Sequence, residues 1–362
     1  MKIVLIGGHF SPAFSLIQKL KDDDILYIGR KYALEGDSSL SFEFRTLDSL
    51  GIKFIRINTG RFQRRLSRYT IPSLAKVPSG FFQSYKILRK FRPDIVVGFG
   101  GYLSVPVVLA AYLLKIPIVL HEQTLEAGFA NKMLARFANK ICISHASSFK
   151  YFSKQKTVLT GNPIRDEILQ AKGVKLKENE IPLIYITGGS LGSHKINLLL
   201  EKTIEKMLNF ANVIHQTGDA KNFRDFERLT DMKNKMNEKL KKRYQLFKFL
   251  SPDQVGEVLR DCNLVIARSG INTVSEIIYL AKPAIFIPLP FSQRNEQKKN
   301  AEMAKKLGIA EIFEENQSTQ QFLELVKKMI SNLDKYRDKN PSAQEEGASE
   351  KVIDVIRQTA KK

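Results

Sequence analysis

Thr273 and Glu276 stand three residues apart, just after the turn Arg268-Ser269-Gly270 and at the start of a helically patterned segment. That spacing has two chemical readings. In one, the pair is a capping box: the Thr273 hydroxyl accepts from the amide three residues on, and Glu276 reaches back. In the other, Thr273 and the nearby amides hold a diphosphate while Glu276 accepts hydrogen bonds from two ribose hydroxyls. The local residues leave both open. Two more clusters carry reactive types. Gly7-Gly8-His9 sets an imidazole beside glycines that allow close backbone approach to a ligand. His121-Glu122-Gln123-Thr124 closes an apolar run, and Glu122 is either a buried, paired structural carboxylate or part of a catalytic cleft. The five histidines are scattered and no diacid ends a strand, so no metal site is expected. Cys142 and Cys262 lack CxxC spacing and read as buried free thiols of a reducing compartment.

These residues need elements to position them. Leu264–Ala267 is an apolar run of strand length. Val274, Ile277, Ile278 and Ala281 then recur at helical spacing, and Ala284–Ile287 is a second strand closed by Pro288 and Pro290. The result is a βαβ unit whose first turn aims helix N–H groups and the helix dipole above the sheet, an arrangement that favours phosphate. Leu183–Thr187 followed by Gly188–Gly192 repeats the pattern, as does Ile3–Ile6 followed by Gly7-Gly8. Asp94–Gly98, Ile116–Leu120, Lys140–Ile143, Val213–Thr217 and Leu246–Leu250 read as further strands. Gly80–Phe91, Asn131–Lys140 and much of 219–245 read as helices. At 362 residues the chain is long for one core. The expected class is α/β: two Rossmann-like domains with parallel sheets facing across a cleft, ligands gathering at the C-terminal strand ends. Asn162-Pro163 and the polar stretch 171–180 mark a hinge. The expected domains are 1–163, 164–340, and a C-terminal helical segment 341–362 that returns to the first domain.

Net charge is 58 − 37 = +21, and it is uneven. Between Ser49 and Pro93 lie eleven basic residues and no acidic one. They are Lys53, Arg56, Arg61, Arg64, Arg65, Arg68, Lys76, Lys86, Arg89, Lys90 and Arg92, interleaved with Phe62, Leu66, Tyr69, Ile71, Leu74, Phe81, Phe82 and Tyr85. Such a segment, 53–92, suits an anionic membrane surface, where each Lys or Arg contributes roughly 1 kcal/mol. It would also suit single-stranded nucleic acid, or it is a loop and a helix whose apolar side packs on the sheet. Lys115, Pro106 and Pro117 split the apolar stretch Leu103–Leu120 into a helix and a strand, so a membrane span is not expected. Lys2–Ile6 is too short for a signal peptide, and secretion is not indicated.

RSGINTVSE, with PAIFIPLP, Gln297 and Asn300-Ala301 after it, resembles the donor-site signature of the MurG family. VVGFGGYLSVPVVLAA, IPIVLHEQ, GNPIR, GGSLG and HQTG are similar to that family's pattern, and the resemblance runs from Gly7 to Ala310. It implies a GT-B glycosyltransferase fold and inverting transfer of N-acetylglucosamine from UDP-N-acetylglucosamine to the undecaprenyl-linked muramyl-pentapeptide, lipid I, giving lipid II for peptidoglycan. No cofactor and no metal are implied. The resemblance places donor contacts at Thr124, Arg165, Ser190, Leu250, Ile271, Asn272, Thr273, Val274, Ser275, Glu276 and Gln297. Within that set, Glu276 takes the ribose, Gln297 the sugar hydroxyls, Ser190 and Thr273 phosphate, and Leu250 with Ile271 the uracil side. It places an acceptor or diphosphate loop at Gly7, Gly8, His9 and Tyr102. His9 is the first candidate for the base, since an imidazole titrates near neutrality, and Glu122 is the reserve. The chain departs from the family in two places. It has GGHFSP where the family has GGTGGH, and Thr124 where the family has Asn, so one hydroxyl replaces an amide's separate donor and acceptor.

The expected partners are UDP-N-acetylglucosamine, an undecaprenyl-linked acceptor and the anionic inner leaflet, with no specific nucleic acid. The expected place is the cytoplasmic face of the membrane, attached peripherally. One alternative is a related GT-B enzyme with another lipid or glycan acceptor. A more distant one is a non-catalytic nucleotide sensor that binds nucleic acid.

Overall fold

The computed structural model describes residues 1–32, 40–60, 70–173, 180–189, 191–218, 223–337 and 346–361, without the side chains of 70–76 and 293. The chain divides into two units, Met1–Arg165 with Gln344–Lys362, and Asp166–Ala343.

In the first unit the strands are β1 (Lys2–Ile6), β2 (Asp24–Gly29), β3 (Lys53–Arg56), β4 (Ile95–Gly98), β5 (Ile118–Glu122), β6 (Lys140–Ile143) and β7 (Thr157–Leu159). The helices between them are α1 (Phe10–Lys19), α2 (Phe42–Ser49), α3 (Thr70–Phe91), α4 (Ser104–Leu113) and α5 (Phe129–Leu134). All seven strands run parallel in the order β3-β2-β1-β4-β5-β6-β7. The strands are apolar on both faces, because helices cover both. One core layer packs Val4, Ile6, Val96 and Leu120 under α3 and α4. The other packs Ile3, Leu5, Val97 and Val119 under α1 and the last helix, which supplies Val352, Val355 and Ile356.

The second unit contains α6 (Asp166–Ala171), β8 (Leu183–Thr187), α7 (His194–Leu208), β9 (Asn212–Gln216), α8 (Asp225–Lys235), α9 (Glu238–Arg243), β10 (Tyr244–Phe247) and α10 (Pro252–Asp261). It continues with β11 (Leu264–Ala267), α11 (Ile271–Tyr279), β12 (Ala284–Phe286), α12 (Glu296–Lys306), β13 (Ala310–Ile312), α13 (Thr319–Ile330) and α14 (Leu333–Arg337). Its parallel sheet is ordered β10-β9-β8-β11-β12-β13. The chain ends in α15 (Ala348–Ala360), which belongs to the first unit. There Ser349 Oγ lies 2.6 Å from Ser15 Oγ of α1, and Ser15 donates to the Ile164 carbonyl at 2.6 Å.

Strand order reverses beside β1 in one sheet and beside β8 in the other. At such a switch point the loops leaving adjacent strands diverge to opposite faces and open a crevice at the C-terminal strand ends. At these points stand Gly7–His9 with Phe99–Tyr102, and Gly188, Gly189, Leu191 and Gly192 with Arg268–Gly270.

Two local expectations need correction. The helix expected over Asn131–Lys140 is the shorter α5, because Asn139 turns back to pair with Ile118 through its backbone amide and its side-chain oxygen, both at 2.9 Å. The helix expected from Gly80 begins at Thr70, ahead of its internal Pro78. Phe81 and Tyr85 pack on the core and Phe82 stays 63% exposed, so one of these three rings faces water. Arg61, Arg64, Arg65, Arg68 and the side chains of Ile71, Leu74 and Lys76 lie outside the described residues, as do Phe62, Leu66 and Tyr69. Cys142 and Cys262 are buried free thiols, and burial pushes Cys142 up to about 12.

Candidate functional site

In the second unit the sheet edge is built from glycine turns and one arginine. Gly189 adopts φ +85° and its N–H bonds the Thr187 hydroxyl at 3.0 Å. A Cβ there would meet nothing within 4 Å, so this corner of the turn faces open space. Gly192 is the opposite case: a Cβ would lie 1.9 Å from the Thr217 carbonyl oxygen, so its glycine serves chain-to-chain contact. Ser190 lies outside the described residues.

Helix α11 starts at Ile271, with Gly270 as N-cap and no side-chain cap. The capping-box reading of Thr273 and Glu276 is therefore wrong, because Thr273 sits in the first turn itself. A Cβ on Gly270 would also meet nothing within 4 Å. An uncapped helix start beside an open glycine is suited to an anion. Asn272 and Thr273 are half-buried, and Glu276 follows one turn below them with 7% of its surface exposed. Val274 and Ser275 are fully buried, and Ile271 and Leu250 nearly so. Those four side chains pack inward. Gln297 Oε1 accepts from the Leu289 N–H at 2.9 Å.

Arg268 stands in the turn and in RSGINTVSE, but its bracing role is not legible in the sequence. Its guanidinium donates to Ser193 Oγ at 3.0 and 2.7 Å and to the Ile287 carbonyl at 3.0 Å, and it pairs with Glu315 at 2.5 Å. It thus braces the ends of β8, β11 and β12. No local signal could reveal this, since its partners are remote in sequence. Asn300 adds a second brace, donating to the Ser269 carbonyl at 3.0 Å.

In the first unit Gly7 and Gly8 are corrected in role. A Cβ on Gly8 would stand 2.2 Å from the Gly100 carbonyl oxygen, and one on Gly7 would stand 2.8 Å from Tyr27 Oη. Both are glycine because neighbouring chain crowds them. His9 is the half-buried N-cap of α1 and makes no side-chain cap bond. Burial lowers its imidazole to about 4, so it is neutral at pH 7 and does not titrate near neutrality as expected. His121, on β5, is fully buried and is also lowered to about 4, by burial first and then by His9 and His145. Tyr102 stands half-buried behind Gly100 and Gly101, both at φ +75°.

Glu122 is 1% exposed and accepts from four donors: Thr124 N at 3.0 Å, the Thr124 hydroxyl, Gly128 N at 2.8 Å and Asn131 Nδ2 at 3.0 Å. Both oxygens are occupied by the turn that follows β5 and by α5. The geometry favours the structural reading and corrects its reserve role as base. Thr124 is likewise spent: 5% exposed, its hydroxyl lies between Glu122 and the Glu126 carbonyl. Arg165, at the end of the first unit, is 7% exposed. Among the described residues no group of three or more His, Cys, Asp or Glu is placed to hold a metal ion. No helix among them is long and apolar enough to cross a membrane.

Residues 6–143 match the glycosyltransferase family 28 N-terminal domain, and 183–358 match its C-terminal domain. A protein of Clostridium tetani (strain Massachusetts / E88) named "UDP-N-acetylglucosamine--N-acetylmuramyl-(pentapeptide) pyrophosphoryl-undecaprenol N-acetylglucosamine transferase" is 33% identical over 98% of this chain and 97% of its own. One of the same name from Clostridium kluyveri is 31% identical, with 98% of each chain covered. The crystal structure of Acinetobacter baumannii MurG superposes with a TM-score of 0.69 over 99% of both chains at 24% identity. A Neisseria meningitidis UDP-GlcNAc 2-epimerase bound to UDP-GlcNAc gives 0.66 at 14% identity, over 99% of this chain and 100% of its own. These two show the fold alone, two Rossmann-like units of the GT-B class. The likeness in sequence, spread over both units and not gathered at one motif, carries more: this chain belongs to the MurG family of N-acetylglucosamine transferases, within glycosyltransferase family 28.

Proposed function

We propose that this protein is a hexosyltransferase that moves N-acetylglucosamine from UDP-N-acetylglucosamine to the lipid-linked muramyl-pentapeptide, with inversion, giving lipid II for peptidoglycan. The observation that carries this is the 33% identity to a transferase of that name over 98% of the chain.

In this reading the second unit binds the donor. The Gly188–Gly192 turn and the first amides of α11 take the diphosphate, helped by Thr273 and Asn272. Oriented N–H dipoles fixed before the reaction stabilise the charge that develops on the leaving UDP. Glu276 takes the ribose hydroxyls, and the Gln297 amide donates to the sugar. The backbone at Leu250 and Ile271 lies on the uracil side. The first unit takes the acceptor near His9 and Tyr102. The acceptor hydroxyl attacks the anomeric carbon opposite UDP, its proton passes to the neutral His9 imidazole, and an α-linked donor yields a β-linked product.

The same reading places the protein at the cytoplasmic face of the membrane. Basic segment 53–92 supports it: Lys86, Arg89 and Lys90 share helix α3 with the exposed Phe82, Lys53, Arg56 and Arg92 belong to the same segment, and anionic headgroups attract such a mix. No specific nucleic-acid partner is proposed.

The test is to incubate the protein with UDP-N-acetylglucosamine and a lipid I analogue and measure released UDP. Turnover with the analogue and none with diacylglycerol or glycan acceptors is the expected result. No UDP release with the analogue would refute the proposal.

A further inference from the structure

Asp225 takes no part in the chemistry described so far, yet it is among the best-connected carboxylates of the second unit. It opens α8 at 5% exposure. It accepts from His194 Nδ1 at 2.8 Å, Asn197 Nδ2 at 2.7 Å and Arg228 Nη2 at 2.7 Å. Burial would raise its carboxyl, and these donors more than offset that, holding it below the ordinary value.

The partners reach the donor edge directly. His194 and Asn197 lie in the first turns of α7, which follows Gly192. Asn197 gives its second amide proton to the Thr217 carbonyl at 3.0 Å and faces His215 Nε2 at 3.0 Å, while His215 Nδ1 faces the Tyr244 hydroxyl at 2.9 Å. A neutral His215 that donates from Nε2 and accepts at Nδ1 satisfies the whole chain. The His194 ring also lies flat on Phe223, with centroids 3.9 Å apart and planes at 11°. The two turns that this network joins have no slack. A Cβ on Gly218 would stand 2.2 Å from Gly192 N, so a shift at Thr217-Gly218 bears on Gly192 at once.

We propose that Asp225 is a positioning residue for the diphosphate turn: it fixes His194 and Asn197 at the start of α7, from where Asn197 reaches the Thr217 carbonyl after β9, and so sets where the Gly189 and Gly192 amides stand. The inference rests on the reading that this turn holds the donor diphosphate. A carboxylate fits the task because it accepts from all its neighbours, whereas an amide would turn N–H groups toward donors.

The experiment uses the full chain with Asp225→Asn, His194→Ala and Glu201→Gln. The last removes the charge from the acceptor of Arg228 Nε, 2.9 Å away, and leaves the His194–Asp225–Asn197 link in place. UDP affinity is measured by calorimetry, with Michaelis constants for donor and acceptor and Tm alongside. Asp225→Asn and His194→Ala should weaken UDP binding and raise the donor KM about tenfold, with the acceptor KM unchanged. Glu201→Gln should hold UDP within about twofold of wild type. The inference fails if wild type binds UDP and both Asp225→Asn and His194→Ala bind it as tightly. It also fails, as a merely structural effect, if Glu201→Gln weakens UDP equally. If wild type itself binds no UDP, the donor reading of the turn falls, and this inference with it. Should Asp225→Asn not fold, His194→Ala carries the test, since that side chain is 27% exposed.

Discussion

Replacing Glu122 by Ala separates a structural carboxylate from a catalytic one. The side chain is 1% exposed, and its loss leaves the amides of Thr124 and Gly128 and the Asn131 side-chain N–H without their acceptor. Each buried donor so stranded costs about 1–3 kcal/mol. Partial relaxation of the loop toward water lowers the sum, which we set at about 4 kcal/mol for the first unit. For a unit of this size, 1 kcal/mol moves Tm by about 2–4 °C, so the first unfolding transition should drop by roughly 10 °C. Scanning calorimetry of wild type, Glu122→Ala and Glu122→Gln reads this directly. Glu122→Gln should fall between the others, because an amide keeps one acceptor and turns its NH2 on a donor. UDP affinity of the folded Glu122→Ala protein, a property of the other unit, should stay unchanged. An unaltered Tm together with lost turnover would overturn the structural reading and return Glu122 to the chemistry.

Three further outcomes follow from the same geometry, and a fourth from the charge pattern. His9→Ala should lower kcat by about 10²–10⁴-fold, and the acid limb of wild-type kcat/KM should lie near 4 instead of 6.5; a variant keeping more than a tenth of wild-type kcat would remove His9 as base. His121 and His145, lowered to about 4, and His215, lowered to about 3, are neutral when folded, so unfolding takes up protons below pH 6.5. Stability is therefore full above 6.5 and falls as pH drops toward 4, each histidine removing about 2 kcal/mol by pH 5; urea titrations should show this, with His145→Asn flattening the slope by about one proton, and a flat profile would contradict it. Glu276→Ala should raise the donor KM roughly ten- to a hundredfold if two charge-assisted bonds to ribose are lost, and unchanged donor kinetics would end that assignment. Changing Arg64, Arg65 and Arg68 to Ser should weaken binding to anionic vesicles with nucleotide affinity intact; equal vesicle binding would remove this segment from the membrane reading.

Much of the fold was legible because parallel strands buried on both faces are short apolar runs, and several, such as β1, β4, β8 and β12, end at or within two residues of a glycine or proline that shows in the sequence. Two βαβ units, their glycine turns and the family resemblance all follow from order along the chain. Side-chain duty did not follow. Thr273 and Glu276 have capping-box spacing, yet α11 begins two residues before Thr273 with Gly270 as its cap, and only the path of the backbone decides that. Gly8 and Gly192 look like ligand glycines but are required by Gly100 and Thr217, each brought up by a different strand. Glu122 draws its donors from the turn and the helix that follow it, while Arg268 finds Ser193 and Asp225 finds His194 and Asn197 far along the chain. Sequence thus determined which segments form strands and where phosphate-friendly turns open. Only tertiary packing decided which polar groups are spent holding those turns and which remain for substrate, because hydrogen-bond partners and desolvation depend on distance in space.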